Sequence, residues 1–118
     1  MSKKQKKFAR YLRSEGFEFE EEVSEFPGTP DIFFRESRLA VFFHGCYWHD
    51  HGCGKKIANS LSASQRAGQA VKDGIQQKAL IEMGYRYLII WECEYDTDPI
   101  AQVEKVRGRL HFSQSPRE

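Results

Sequence analysis

The sequence predicts an α/β fold: a mixed β-sheet flanked by α-helices, with a metal-binding loop at one end of the sheet. Three observations carry this reading. Apolar residues at helical spacing open and close the chain, short runs with strand character lie between them, and a cysteine- and histidine-rich stretch follows the third of those runs.

Taken in order, Phe8, Tyr11 and Leu12 share one face of a first helix, and Gly16 is placed to end it in a left-handed conformation. Phe17, Phe19 and Val23 alternate with glutamates, the period of a half-buried strand facing that helix. Two prolines and a glycine in Phe26-Pro27-Gly28-Thr29-Pro30 then force a loop. Ile32-Phe33-Phe34, the polar tip Arg35-Glu36-Ser37-Arg38 and Leu39-Ala40-Val41-Phe42-Phe43 read as a hairpin of two buried strands. From Gly54 to Ser64 the residues are small, polar and basic, so a loop is expected there. A long helix from Gln65 to about Met83 follows, with Val71, Ile75, Ala79 and Met83 as its apolar stripe and Gly84 as its stop. Tyr85 to Trp91 is an almost wholly apolar strand of the kind found at the centre of a covered sheet. Asp98-Pro99 caps and opens a last helix with Ile100, Val103, Val106 and Leu110 inward and His111 at the surface. One domain spanning 1–112 is expected, with a disordered tail from about Phe112.

The stretch from Phe42 to Cys53 concentrates the chemistry, holding three of the four histidines and two of the three cysteines. Cys46, His51 and Cys53, with Cys93 just past the last strand, make three thiolates and one imidazole, the ligand chemistry of a closed tetrahedral zinc site. His44 and His49 are left for other work. The antiparallel hairpin returns its second strand beside the start of its first, so Asp31 is expected next to Phe43 and His44, joining a carboxylate, an imidazole and the metal loop.

Composition narrows the rest. A chain of 118 residues suits a single compact domain, and 18 basic against 17 acidic residues leave a net charge of only +1. Any electrostatic argument for a polyanionic partner must therefore be local. The one candidate is the N-terminal run Lys3, Lys4, Lys6, Lys7, Arg10 and Arg13, followed at once by Glu18, Glu20, Glu21, Glu22 and Glu25. It reads equally as a solvated surface or as a phosphate-contacting one. Three cysteines argue for metal binding in a reducing compartment rather than a disulfide framework, so a cytoplasmic protein is expected. The start lacks an apolar run and is not a secretory signal, and no stretch is long enough to span a membrane.

Several ordered motifs together resemble one family: Pro27-Gly28-Thr29-Pro30-Asp31, then His44-Gly45-Cys46-Tyr47-Trp48-His49, then Cys53, then Gly84-Tyr85-Arg86 running into Trp91-Glu92-Cys93. From about Gln5 to Cys93 the chain is similar to the very-short-patch-repair (Vsr) DNA endonucleases. The resemblance implies a restriction-endonuclease-like PD-(D/E)xK fold, and an enzyme that nicks one strand of double-stranded DNA beside a T:G mismatch, with catalytic magnesium and a separate structural zinc. Asp31 matches the magnesium-binding aspartate, and Phe43 matches a residue offering only its backbone carbonyl to that metal. His49 matches the general-base candidate, Asp73 the carboxylate that orients it, and His44 a further active-site imidazole. Cys46, His51, Cys53 and Cys93 match the zinc ligands. Tyr47 and Trp48 match aromatics that wedge into the base stack, and Lys55 and Lys56 are added as DNA contacts. A monomer is expected.

Two departures bear on activity. The family's N-terminal clamping segment is absent from the sequence as read, and its active-site glutamate on the first helix falls at Gln5, whose amide cannot accept a proton or bind magnesium as a carboxylate does. These favour an alternative, a zinc-stabilised module that binds mismatched or distorted DNA without cutting it.

Overall fold

A computed structural model describes residues 2–45 and 63–113. The elements are α1 (Lys3–Ser14), β1 (Glu20–Glu21), β2 (Ile32–Phe34), β3 (Leu39–His44), α2 (Ala63–Glu82), β4 (Arg86–Trp91), α3 (Glu92–Thr97) and α4 (Pro99–Ser113). The strands form one sheet in the order β1-β2-β3-β4. The first three are antiparallel, and β3 and β4 run parallel, joined through α2. This is the mixed sheet with flanking helices that the sequence predicts.

Both faces of the sheet are covered, which is why β2, and β3 from Leu39 to Phe43, are apolar without a break. On one face Phe8, Ala9 and Leu12 of α1 pack with Ile32, Phe34, Leu39, Val41, Leu88 and Ile90, and α3 and α4 add Tyr95, Val103 and Val106. On the other, Leu80 of α2 and Val23 close over Phe33, Ala40 and Phe42.

Local signals in the sequence act as read. Ser2, which the pattern did not single out, accepts a hydrogen bond from the Gln5 N–H at 3.1 Å and caps α1. At the other end Gly16 N donates to Arg13 O and Phe17 N to Leu12 O, the paired closure expected of a glycine stop. Gly84 ends α2 in the same way, with Gly84 N donating to Ile81 O and Tyr85 N to Leu80 O. Asp98 accepts from Ala101 N at 3.1 Å and starts α4. The turn at Arg35–Arg38 sets the hairpin register Ile32↔Val41, Phe33↔Ala40 and Phe34↔Leu39.

Several expectations are corrected. The strand expected from Phe17 to Val23 is reduced to Glu20–Glu21. Phe17 and Phe19 do pack on the α1 side, but Glu22 takes φ +51°, which turns the chain over and sends Val23 to the opposite face. β4 lies at the end of the strand order among the described residues, where a central position was expected, and only Leu88 and Ile90 along it are buried. Its apolar character is shared between the covered face and a half-exposed edge along which Arg109 donates to Tyr87 O. The loop expected as far as Ser64 is already helical at Ala63, the segment after Trp91 turns at once into α3, and α4 continues to Ser113, past the start of the expected tail. Ile100, 61% exposed, lies in the first turn of α4, before the helix reaches the core at Val103. The His111 side chain lies outside the described residues. No described helix is long and apolar enough to cross a membrane.

Candidate active site

The site grows from the loop that precedes β2. Pro30 is fully buried and fixes the approach to the strand. Gly28 takes φ +80°, and a Cβ there would stand 3.0 Å from the Phe42 ring and 3.1 Å from the Gln76 side chain, so only glycine lets the loop lie this close to the sheet. Asp31 is then tied at three points. Its N–H donates to Val41 O and its carbonyl accepts from Glu22 N, each at 3.1 Å. Its Oδ2 accepts from the Phe43 N–H at 2.8 Å.

That last contact is the juxtaposition the hairpin predicts. In a pleated strand the N–H and C=O of one residue point to the same neighbour. Because the Phe43 N–H is aimed at Asp31, its carbonyl also leaves the strand on the Asp31 side. The Phe43 ring packs under α1, 6.2 Å from Phe8 and 5.5 Å from Tyr95 between centroids. His44, one residue on, faces the other way. It is buried, with the Phe42 ring at 5.9 Å and the edge-on Trp91 ring at 5.3 Å.

Helix α2 covers the His44 side, but not with the stripe expected of it. Val71 and Ile75 are 63% and 65% exposed, and Met83 is exposed as well. The inward positions are Leu80, fully buried, and the partly buried Gln76, Asp73 and Gln69, spaced as one helical face. Leu80 packs on Phe33, Ala40 and Phe42, and Gln76 reaches Phe42 and the Gly28 loop. The next turn carries Asp73 towards the end of the sheet that holds Asp31 and His44. There Asp73 Oδ1 accepts from Gln69 Nε2 at 3.0 Å. Gln69 and Gln76 are hidden in the sequence by the more strongly apolar stripe of Val71, Ile75 and Met83. The signal available was a polar stripe at positions 69, 73 and 76 ending on Leu80.

The N-terminal end of α1 meets this same end of the sheet. Lys4 Nζ donates to Glu92 Oε2 and Asp96 Oδ2, both at 2.9 Å, just past the end of β4. Those bonds, the one to Glu92 first, hold the Lys4 ammonium above its ordinary pKa. Gln5 is only 7% exposed, and its Nε2 has no hydrogen-bond partner among the described residues.

Cys93 stands partly buried in the first turn of α3, where its carbonyl accepts from Thr97 Oγ1 at 2.9 Å. It lies two residues beyond Trp91, which pairs with His44 in parallel register. The expected ligands Cys46, His51 and Cys53 lie outside the described residues, as do Tyr47, Trp48, His49, Lys55 and Lys56. Among the described residues no group of three or more potential ligands could hold a metal ion, so a zinc site is not shown.

Comparison with known proteins adds to this geometry. Residues 2–55 match the family model of the DNA mismatch endonuclease Vsr. The chain is 39% identical over 88 residues to the type II nicking enzyme V.XorIIP of Xanthomonas oryzae, an alignment covering 70% of this chain and 64% of that protein. It is 34% identical over 93 residues to the DNA mismatch endonuclease Vsr of Escherichia coli, covering 75% and 60%. With V.NmeAIP of Neisseria meningitidis the identity is 26% over 97 residues, covering 79% and 69%. The chain thus spans somewhat under two thirds of the length of the first two relatives.

Proposed function

Because this chain belongs to the Vsr family, we propose that it is a DNA endonuclease that nicks one strand of duplex DNA near a T:G mismatch, acting as a monomer. The observation that carries the reading is the Asp31 carboxylate held 2.8 Å from the Phe43 N–H, at the end of the hairpin whose second strand runs on into His44.

The donors fit a small hard cation. A carboxylate and a strand-end carbonyl supply only oxygen, the ligand preference of magnesium. Asp31 and the Phe43 carbonyl would hold it, and when bound it would polarise the scissile phosphate and offset the charge that develops there. In this reading His49 accepts the proton of the attacking water, and Asp73 keeps that imidazole in position and tautomer. His44 contributes a second imidazole at the strand end. Tyr47 and Trp48 wedge into the stack at the mismatch, and Lys55 and Lys56 reach the adjoining backbone. Zinc would be held by Cys46, His51, Cys53 and Cys93, whose three thiolates and imidazole suit a closed structural site. What supports Cys93 in this set is its place two residues beyond Trp91, which pairs with His44.

The test is nicking of a labelled duplex carrying one T:G mismatch, compared with the matched duplex, in magnesium. One-strand cleavage of the mismatched substrate, lost in chelator, is expected. The buried amide of Gln5 favours the second reading, a mismatch-binding module, and that reading wins if the protein retains the mismatched duplex but leaves it uncut. Equal cutting of both duplexes would remove the mismatch preference and leave the nuclease.

A further inference from the structure

We propose that the outward face of α1, formed by Lys3, Lys6, Lys7 and Arg10, is a phosphate-contacting surface that seats the backbone of duplex DNA beside the active site. This rests on the endonuclease reading and names a part of the substrate grip that the reading leaves open.

The helix is divided cleanly by its own sequence. Gln5, Phe8, Ala9 and Leu12 are buried against the sheet, whereas Lys3, Lys6, Lys7 and Arg10 are all exposed on the other side. Among the described residues no carboxylate pairs with any of these four cations, although acidic residues are plentiful nearby in sequence. The acidic run turns elsewhere: Glu21 takes Arg13 at 2.6 Å, and Glu20 takes Arg35 in a two-point bond at 2.8 Å. Lys4, the one lysine of the run drawn inward, is taken by Glu92 and Asp96. What is left is a cationic face without counter-charge among the described residues, in a protein whose net charge is only +1.

Position and spacing say what it fits. The Lys4 bridges hold the N-terminal half of α1 at the sheet end that carries Asp31 and Phe43, so the face flanks the proposed point of cleavage. From Lys3 to Arg10 the helix rises roughly 10 Å. One DNA strand presents a phosphate about every 3.4 Å along the axis, so three of the cations can each meet one. Such contacts carry no base information, and they position the duplex without reading it.

The experiment is the salt dependence of binding to a matched and a T:G duplex. Each phosphate contact contributes about −0.9 to the slope of log K against log salt. Lys3→Ala, Lys7→Ala and Arg10→Ala combined should therefore make the slope shallower by about 2 to 3 and weaken binding roughly 10²-fold near 0.15 M salt, equally on both duplexes. Lys3→Arg with Lys7→Arg should keep the wild-type slope, which a purely structural effect of the alanines would not predict. An unchanged slope in the triple variant, with wild-type protein binding and nicking normally, overturns this inference alone. Failure of the wild-type protein to bind duplex DNA at all overturns it together with the endonuclease reading.

Discussion

Asp31→Ala is expected to abolish magnesium-dependent nicking. Without the carboxylate no cation is held against the phosphate, and the transition state loses several kcal/mol of charge stabilisation, roughly 10³-fold in rate or more. Alanine also removes the acceptor for the Phe43 N–H, so loss of activity alone could reflect a loosened hairpin. Asp31→Asn separates the two effects. Its amide oxygen can still accept from Phe43, while its charge and its affinity for magnesium are gone. Both variants should be inactive, and the asparagine variant should unfold at close to the wild-type temperature. Steady nicking by the asparagine variant, with contaminating nuclease excluded by a second preparation, would end the assignment of Asp31.

The second large effect is expected at Cys93. Purified protein should contain about one zinc per chain, and Cys93→Ser should lose most of it, because serine does not replace a thiolate in a structural site. Binding free energy at such sites becomes folding free energy. Even about 2 kcal/mol of it would move the unfolding midpoint by the order of 10 °C. Chelator should destabilise the wild-type protein and leave the variant unmoved. Absence of zinc from the folded wild-type protein, or free reaction of all three cysteines with a thiol reagent in the native state, would show that the ligand set is wrong.

What could be read in advance was whatever a few neighbouring residues decide. The hairpin, the stops at Gly16 and Gly84 and the cap at Asp98 depend on turn chemistry and on hydrogen bonds within one turn of helix, and they stand as expected. The juxtaposition of Asp31 with Phe43 follows from that same hairpin. The failures lie where distant surfaces choose. Val71 and Ile75 form the more apolar stripe of α2, yet the helix turns Asp73 and Gln76 inward, towards the sheet end with its carboxylate and imidazole. Strength of periodicity does not tell which side of a helix has a polar site to line. Val23 changed faces through one backbone angle at Glu22, which no pattern of alternating residues encodes. The burial of Gln5 depends on the tertiary docking of α1, which the pattern around Phe8 and Leu12 marks only as a helix with an inward face.

The parallel pairing of β3 with β4 also bears on the order in which the molecule assembles. Phe34 and Leu39 pair across a four-residue tip, but Leu39 and Arg86 pair from positions 47 residues apart. Closing the longer loop costs about 2 kcal/mol more in chain entropy by the usual logarithmic dependence. The hairpin that carries Asp31 can therefore close on its own timescale, whereas Cys93 reaches the sheet only when β4 docks. Pulse-labelled hydrogen exchange during refolding should find the Phe43 amide protected before those of β4, and simultaneous protection would mean that neither half of the sheet persists without the other. A nascent chain would on this account hold its carboxylate in place while the cysteine of α3 was still to be synthesised.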